Sequence, residues 1–398
     1  MFSKFSSPIG NFFQKGGIFL KTVGIICEYN PLHLGHQKQF DLIHKEHADC
    51  AIVCLMSGNY VQRGAPAVFD RSLRAKAAIL SGADLVLEMP VTVSLSSAEG
   101  FAAGSVKILD NFCDELCFGA ESADTAMLIS TATALLSNGF SPALRTQLDT
   151  GKSFPAARAA ALTDLGLDSQ ILSLPNNILA VEYCKAILSQ GSAMRPYPIH
   201  REGGYHDETP DGENPSATAV RQLILDGHDW KSYVPATARS VFDNAAIHSL
   251  FAGERAVLSR LRTMSDEAFE TLPYGSEGLW RKLMHAARQF ATVEEIAAAT
   301  KSKRYTRSRI DRMILCAFLG LTADDFATNA PYARVLAFND RGREVLSKAK
   351  NTGLFPNIGE KTGHPYEAIE NRCDALYGLF ATDAPAVPAI KDRIFYHR

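Results

Sequence analysis

Apolar residues in the first third of the chain come in short blocks separated by longer amphipathic stretches. Residues 22–27, 50–56, 83–88 and 115–118 are apolar runs of strand length. Between them, 34–45, 69–80 and 98–109 repeat apolar residues at the spacing of one helix face. Single strands joined by single helices predict a parallel sheet with right-handed crossovers. The second strand runs into a polar loop, 57–66.

From 124 to 190 the pattern is helical only, which predicts a helical insertion before a last strand at 196–200. A helix follows at 216–225, with Ser216 as its N-cap. Beyond Pro235 long helical patterns dominate, apart from a strand-like run at 335–338. The expected architecture is α/β: a Rossmann-like parallel sheet with a helical insertion over 22–235, then a mostly α-helical C-terminal domain over 236–398. Residues 1–21 carry no regular pattern and read as a disordered tail.

Composition narrows the class. The chain has 398 residues, 46% of them hydrophobic, and a formal net charge of -2. A nucleic-acid site must therefore be a local patch, because the whole molecule has no basic excess. No apolar run reaches the ~20 residues a membrane span needs. The eight cysteines sit mostly in apolar runs, which reads as buried thiols in a reducing, cytoplasmic compartment. The Cys-x3-Cys pairs at 50/54 and 113/117 lack zinc-type spacing, and no metal ligands can be assigned.

Two short patterns carry chemistry. His33-Leu34-Gly35-His36 lies between the first strand and the first helix. In a doubly wound sheet that is the ligand crevice, and a helix N-terminus there offers free N–H groups and positive potential to phosphate. Gly35 allows close backbone approach. His33 and His36 can converge on one phosphoryl group and stabilise charge that builds as pyrophosphate leaves. A zinc pair is the weaker alternative, since no third ligand is evident. The second pattern is Ser216-Ala217-Thr218-Ala219-Val220-Arg221, whose hydroxyls and Arg221 suit a β- or γ-phosphate. Alone it would be a capped helix with a surface arginine.

A His-x-Gly-His after the first strand, with a late Ser-x-Thr-x-x-Arg, resembles the nucleotidylyltransferase superfamily, whose members attack the α-phosphate of ATP. The segment 24–36 (Gly-Ile-Ile-Cys-Glu-Tyr-Asn-Pro-Leu-His-Leu-Gly-His) narrows the likeness to the bacterial tRNA(Met) cytidine acetate ligase family. So do Ser57-Gly58-Asn59-Tyr60-Val61-Gln62-Arg63-Gly64, Pro175-Asn176-Asn177-Ile178-Leu179, Gly204-Tyr205-His206-Asp207 and the basic run from Lys303 to Ile310. Leu32 and Leu34 stand where that family often has Phe and Asn; neither is needed for phosphate contact.

The resemblance implies an enzyme that turns acetate and ATP into acetyl-adenylate. It then acylates the N4 amine of the wobble cytidine of elongator tRNA(Met), releasing AMP. By the same resemblance the ATP is wrapped by Ile26, Cys27, Glu28, Tyr29, Asn30, Pro31, Leu32, His33, Leu34, Gly35, His36, Gln37, Lys38 and Gln39. Gly104, Asn177 and Arg201 complete the nucleotide site with Ser216, Thr218 and Arg221, and Mg²⁺ accompanies ATP. On the residues alone, Gly104 reads equally as a ligand contact or a tight helix contact, and Asn176 and Asn177 as helix caps or nucleotide contacts. The segment 301–312 holds six basic residues and one acidic one, interleaved by Tyr305. Arg63, Lys303, Arg304, Arg307 and Arg309 are the expected tRNA contacts. The rival reading is a nucleotidylyltransferase acting on a small phosphorylated metabolite, which needs neither the basic run nor the long helical region.

Overall fold

The structure is a computed structural model that describes residues 20–201, 215–327, 332–349, 365–382 and 394–398. Residues 1–19 of the expected tail and the motif Gly204-Tyr205-His206-Asp207 lie outside the described residues.

The strands are β1 (Thr22–Cys27), β2 (Ala51–Ser57), β3 (Tyr60–Val61), β4 (Ala65–Pro66), β5 (Leu85–Met89), β6 (Glu115–Ala120), β7 (Arg195–His200), β8 (Arg334–Phe338) and β9 (Phe395–Tyr396). Seven of them form one sheet in the order β7-β6-β1-β2-β5-β8-β9. The pairs β1–β2, β1–β6, β2–β5, β6–β7 and β8–β9 are parallel, and β5–β8 is antiparallel. The central strands are apolar on both faces because both faces are covered, as parallel sheets require. One face packs on the helices Ala98–Leu109, Thr125–Leu136 and Pro175–Gln190 through Leu55, Leu87, Leu116 and Phe118. The other packs on the helices Leu34–Glu46 and Arg71–Leu80 through Val23, Ile25, Ile52 and Cys54.

The insertion between β6 and β7 is helical, as its pattern predicts. The helices Leu250–Thr263, Leu279–Gln289, Val293–Thr300 and Arg307–Leu319 build a second core around Val257, Leu283, Ile296 and Met313. Tyr60, Val91 and Leu95 from the sheet region enter that core. Among the described residues no helix is long and apolar enough to cross a membrane.

Two features depart from the expected layout. The loop 57–66 contains the hairpin β3–β4, because Tyr60 is drawn into the helical core and its hydroxyl donates to the Cys373 carbonyl at 2.8 Å. The sheet also does not end within the first 235 residues. β8 covers the edge that β5 would otherwise expose, which satisfies its backbone groups. Gly342 permits this return: a Cβ there would lie 2.0 Å from the Asp84 carbonyl oxygen.

Candidate nucleotide-binding active site

The carboxyl ends of β1, β6 and β7 open onto a cavity of about 460 Å³. His33 is the N-cap of the helix Leu34–Glu46. Its Nδ1 accepts from the Gly35 N–H at 3.1 Å, and the His33 N–H donates to His36 Nδ1 at 3.2 Å. A side chain at residue 35 would crowd this arrangement, with its Cβ 3.0 Å from His33 Cε1. The two rings stack with centroids 3.8 Å apart, and Tyr29 closes edge-on against His36 at 4.9 Å.

This geometry sets the protonation. A backbone N–H can only donate, so both Nδ1 atoms are acceptors, and a neutral ring then carries its proton on Nε2. Burial holds His33 well below the ordinary histidine range, helped by repulsion from His36, Arg201 and Arg221. Burial, with Arg201 nearby, lowers His36 to about 3. Both rings are therefore neutral near pH 7, each with an Nε2–H to offer. The His33 Nε2 is buried without a hydrogen-bond partner among the described residues. An unmet buried donor costs about 1–3 kcal/mol, which an acceptor on a ligand would recover.

Cations surround the pair. Arg221, one turn into the helix Ala217–Leu225, donates to the Asn30 carbonyl at 2.7 Å and to Thr218 Oγ1 at 3.1 Å. Arg201 follows β7 and donates to Asn176 Oδ1 at 3.1 Å. Asn176 is itself oriented by Glu121, which accepts from its backbone N–H at 3.1 Å and its amide at 2.8 Å. Glu28 directly follows β1, and its Oε1 accepts from the Gln62 N–H at 2.8 Å. Its carbonyl is gripped at 2.6 Å by Arg74, a fully buried guanidinium that also donates to the Phe69, Ser57 and Gly58 carbonyls. Arg74 thus ties the loops after β1 and β2 together.

The expected residues divide clearly. Ile26, Cys27, Glu28, Tyr29, Asn30, His33, Gly35, His36, Lys38, Gln39, Arg63, Arg201, Ser216, Thr218 and Arg221 line the cavity. Pro31, Leu32, Leu34 and Gln37 do not; Leu32 is fully buried in the core, and Gln37 donates to the Ser81 carbonyl. Gly104 is not on the cavity wall either. It lets the helix Ala98–Leu109 close on Val93, whose Cγ2 would be 2.7 Å from a Cβ. Besides Gly35, the cavity wall includes Gly119, near the end of β6. Asn177 turns to the Ser122 N–H at 3.0 Å, and its neighbour Asn176 lines the cavity instead. The rule that flags Arg201, the carboxyl end of a strand, could have found Gly119 as well.

The basic run lies outside the cavity. Arg304 pairs with Glu277 at 3.1 Å. Arg307 makes a two-pronged contact with Glu294, 2.6 Å on each arm, and reaches Asp311 at 2.7 Å. Arg309 donates to the Tyr274 carbonyl at 2.7 Å and Ser276 Oγ at 2.9 Å. Lys303 is exposed. The helix Leu279–Gln289, which carries no acidic residue, presents Arg281, Lys282, His285 and Arg288 to solvent.

Fold and site define a nucleotide-binding α/β protein with paired histidines at a helix N-terminus. The model of the HIGH Nucleotidyl Transferase family matches residues 20–386. A tRNA(Met) cytidine acetate ligase of Clostridium novyi (strain NT) is 36% identical over 357 residues, 85% of this chain and 89% of that protein. One of Clostridium acetobutylicum is 33% identical over 374 residues, 88% of this chain and 92% of that protein. The apo crystal structure of Thermotoga maritima TmcAL superposes with a TM-score of 0.87 at 28% identity, covering 95% of this chain and 99% of that one. The same protein bound with alpha-thio ATP gives 0.85, with the same coverage. The chain belongs to the HIGH Nucleotidyl Transferase family and, within it, to the tRNA(Met) cytidine acetate ligases.

Proposed function

We propose that this protein uses ATP to ligate acetate to the N4 amine of the wobble cytidine of elongator tRNA(Met). The observation that carries the reading is the pair of neutral histidines, one with a buried, unpartnered Nε2–H, beside two arginines in one cavity. Acetate attacks the α-phosphorus and the bond to the bridging oxygen of pyrophosphate breaks. His33 and His36 donate Nε2–H bonds to phosphate oxygens as charge moves onto the leaving group, and Arg201 and Arg221 supply positive potential. Such preorganised donors act most strongly on charge that develops in the transition state. The N4 amine then displaces AMP from acetyl-adenylate, giving N4-acetylcytidine.

Mg²⁺ accompanies ATP in this reading. No group of three or more metal-ligating side chains occurs among the described residues. The ion would ride on phosphate oxygens and water, a mode that suits its small octahedral shell, and would neutralise phosphate charge. A cytosolic setting belongs to the same reading, supported by eight buried, unpaired cysteines.

RNA contact falls to the helical region. Arg307 and Arg309 are committed to partners within the chain, whereas Arg304 holds an exposed pair that a phosphate can replace at little cost. Arg63, Lys303 and Arg304, together with the face of Arg281, Lys282 and His285, form the proposed phosphate-binding surface. Reversing Arg281 and Lys282 to glutamate is expected to weaken tRNA binding for any sequence. It should also lower the salt slope by about two charges, which filter binding at several salt concentrations reads directly.

The decisive test incubates the enzyme with ATP, labelled acetate and tRNA, and analyses the nucleosides. Labelled N4-acetylcytidine is the expected product. Nucleotidyl transfer to a small phosphorylated metabolite would give a dinucleotide instead.

A further inference from the structure

We propose that Glu28 is the base that takes the proton from the cytidine N4 amine during acetyl transfer. The inference rests on the reaction assigned above and adds the residue its second half requires. The N4 lone pair forms a bond to the acetyl carbonyl carbon. The carbon–oxygen bond to the adenylate phosphate breaks, and AMP leaves with that electron pair. The nitrogen then carries one proton too many, and a group at the site must accept it.

Among the described residues that line the cavity, elimination points to one side chain. The histidines are unsuited, because each Nδ1 already accepts a backbone N–H and each Nε2 carries the proton it offers to phosphate. Lys38, Arg63, Arg201 and Arg221 are cations, and burial pushes the Tyr29 phenol and the Cys27 thiol upward. Glu28 is the only carboxylate among the described residues that line the cavity.

Its placement fits the role. Oε1 is fixed by the Gln62 N–H at 2.8 Å, and the Glu28 carbonyl is fixed by Arg74, so the side chain is held against the 58–66 loop. Oε2 has no hydrogen-bond partner among the described residues. The loop in turn docks on the helical region. The Arg312 guanidinium donates to the Gln62 carbonyl at 3.3 Å, and Gly64 packs against the backbone of Asp311 and Arg312. Glu28 therefore lies where the cavity meets the region proposed to hold RNA. His200 is the remaining candidate among the described residues that line the cavity; it stands exposed at the end of β7, two strands from β1.

The test separates the half-reactions. Acetate-dependent exchange of pyrophosphate into ATP reports activation, and single-turnover acetylation of tRNA from preformed acetyl-adenylate reports transfer. Glu28→Gln keeps an oxygen for the Gln62 N–H but cannot take a proton. Its loss in transfer is expected to exceed its loss in activation by at least about 100-fold. Glu28→Asp should recover at least part of the transfer lost by the glutamine variant.

Equal losses in both half-reactions would overturn the assignment, as would a defect in activation that added Mg²⁺ repairs. So would a transfer defect in His200→Ala with none in Glu28→Gln. A wild-type enzyme that makes no acetyl-adenylate would instead refute the parent reading and leave Glu28 aside.

Discussion

His33 and His36 are held as neutral rings with a proton on Nε2, and the backbone enforces this. Protonating either ring would add a charge to a buried site already facing Arg201. His36→Ala removes one donor and also the acceptor for the His33 N–H. Acetate-dependent pyrophosphate exchange should fall roughly 100-fold, mainly in kcat, as for other preorganised donors to developing charge. An unchanged kcat with a raised KM for ATP would mean that the ring serves ground-state binding only. These histidines were legible in the sequence because their spacing is local and follows a strand. Gly104 and Asn177 do not line the cavity, and local spacing alone could not show which helix positions do. Neighbouring helix positions point about 100° apart, so a one-residue choice moves a side chain off the wall. Asn176, not Asn177, faces Arg201 because Glu121 fixes the first turn of its helix.

The helix Pro365–Tyr377 is bound to the sheet by a buried ionic cluster that local patterns could not reveal. Arg71 reaches Asp374, while Arg334 on β8 contacts Glu88 at 2.8 Å, Asp374 at 2.9 Å and Glu370 at 3.4 Å. Glu88 and its partner Arg334 are 246 residues apart in the chain, beyond any periodicity argument. Two guanidinium groups face three carboxylates, so neutrality requires one proton. Burial pushes Glu370 up to about 8, against the pull of Arg334 and with repulsion from Glu88 and Asp374. The unfolded chain releases that proton near pH 4, whereas the folded chain keeps it up to about pH 8. The folded state thus binds more protons across this window, and stability must fall as pH rises through it. Glu370→Gln mimics the protonated form. Denaturant titrations at pH 6 and pH 8.5 should show a smaller loss for the variant than for the wild type; equal losses would place the proton elsewhere.

The sheet and the helical region meet at the 58–66 loop, and the two proposed half-reactions meet there too. Composition and periodicity separated the α/β part from the helical part. They could not show that β8 returns to the sheet or that Tyr60 enters the helical core, because both follow from contacts between distant segments. Gly64 is the pivot. Its φ of +84° lies in the left-handed region, and a Cβ would stand 2.4 Å from the Arg312 backbone nitrogen. Gly64→Ala therefore carries backbone strain of more than about 1 kcal/mol, plus a clash that only separation of loop and helix relieves. The histidine pair sits on another element, the helix Leu34–Glu46, and does not depend on this contact. Pyrophosphate exchange should accordingly survive better than tRNA acetylation, by tenfold or more on the order of a 1.4 kcal/mol coupling. If both activities fell together at a temperature where the variant stays folded, the loop would serve nucleotide binding as well. If neither fell, the helical region would present tRNA to the cavity without help from this contact.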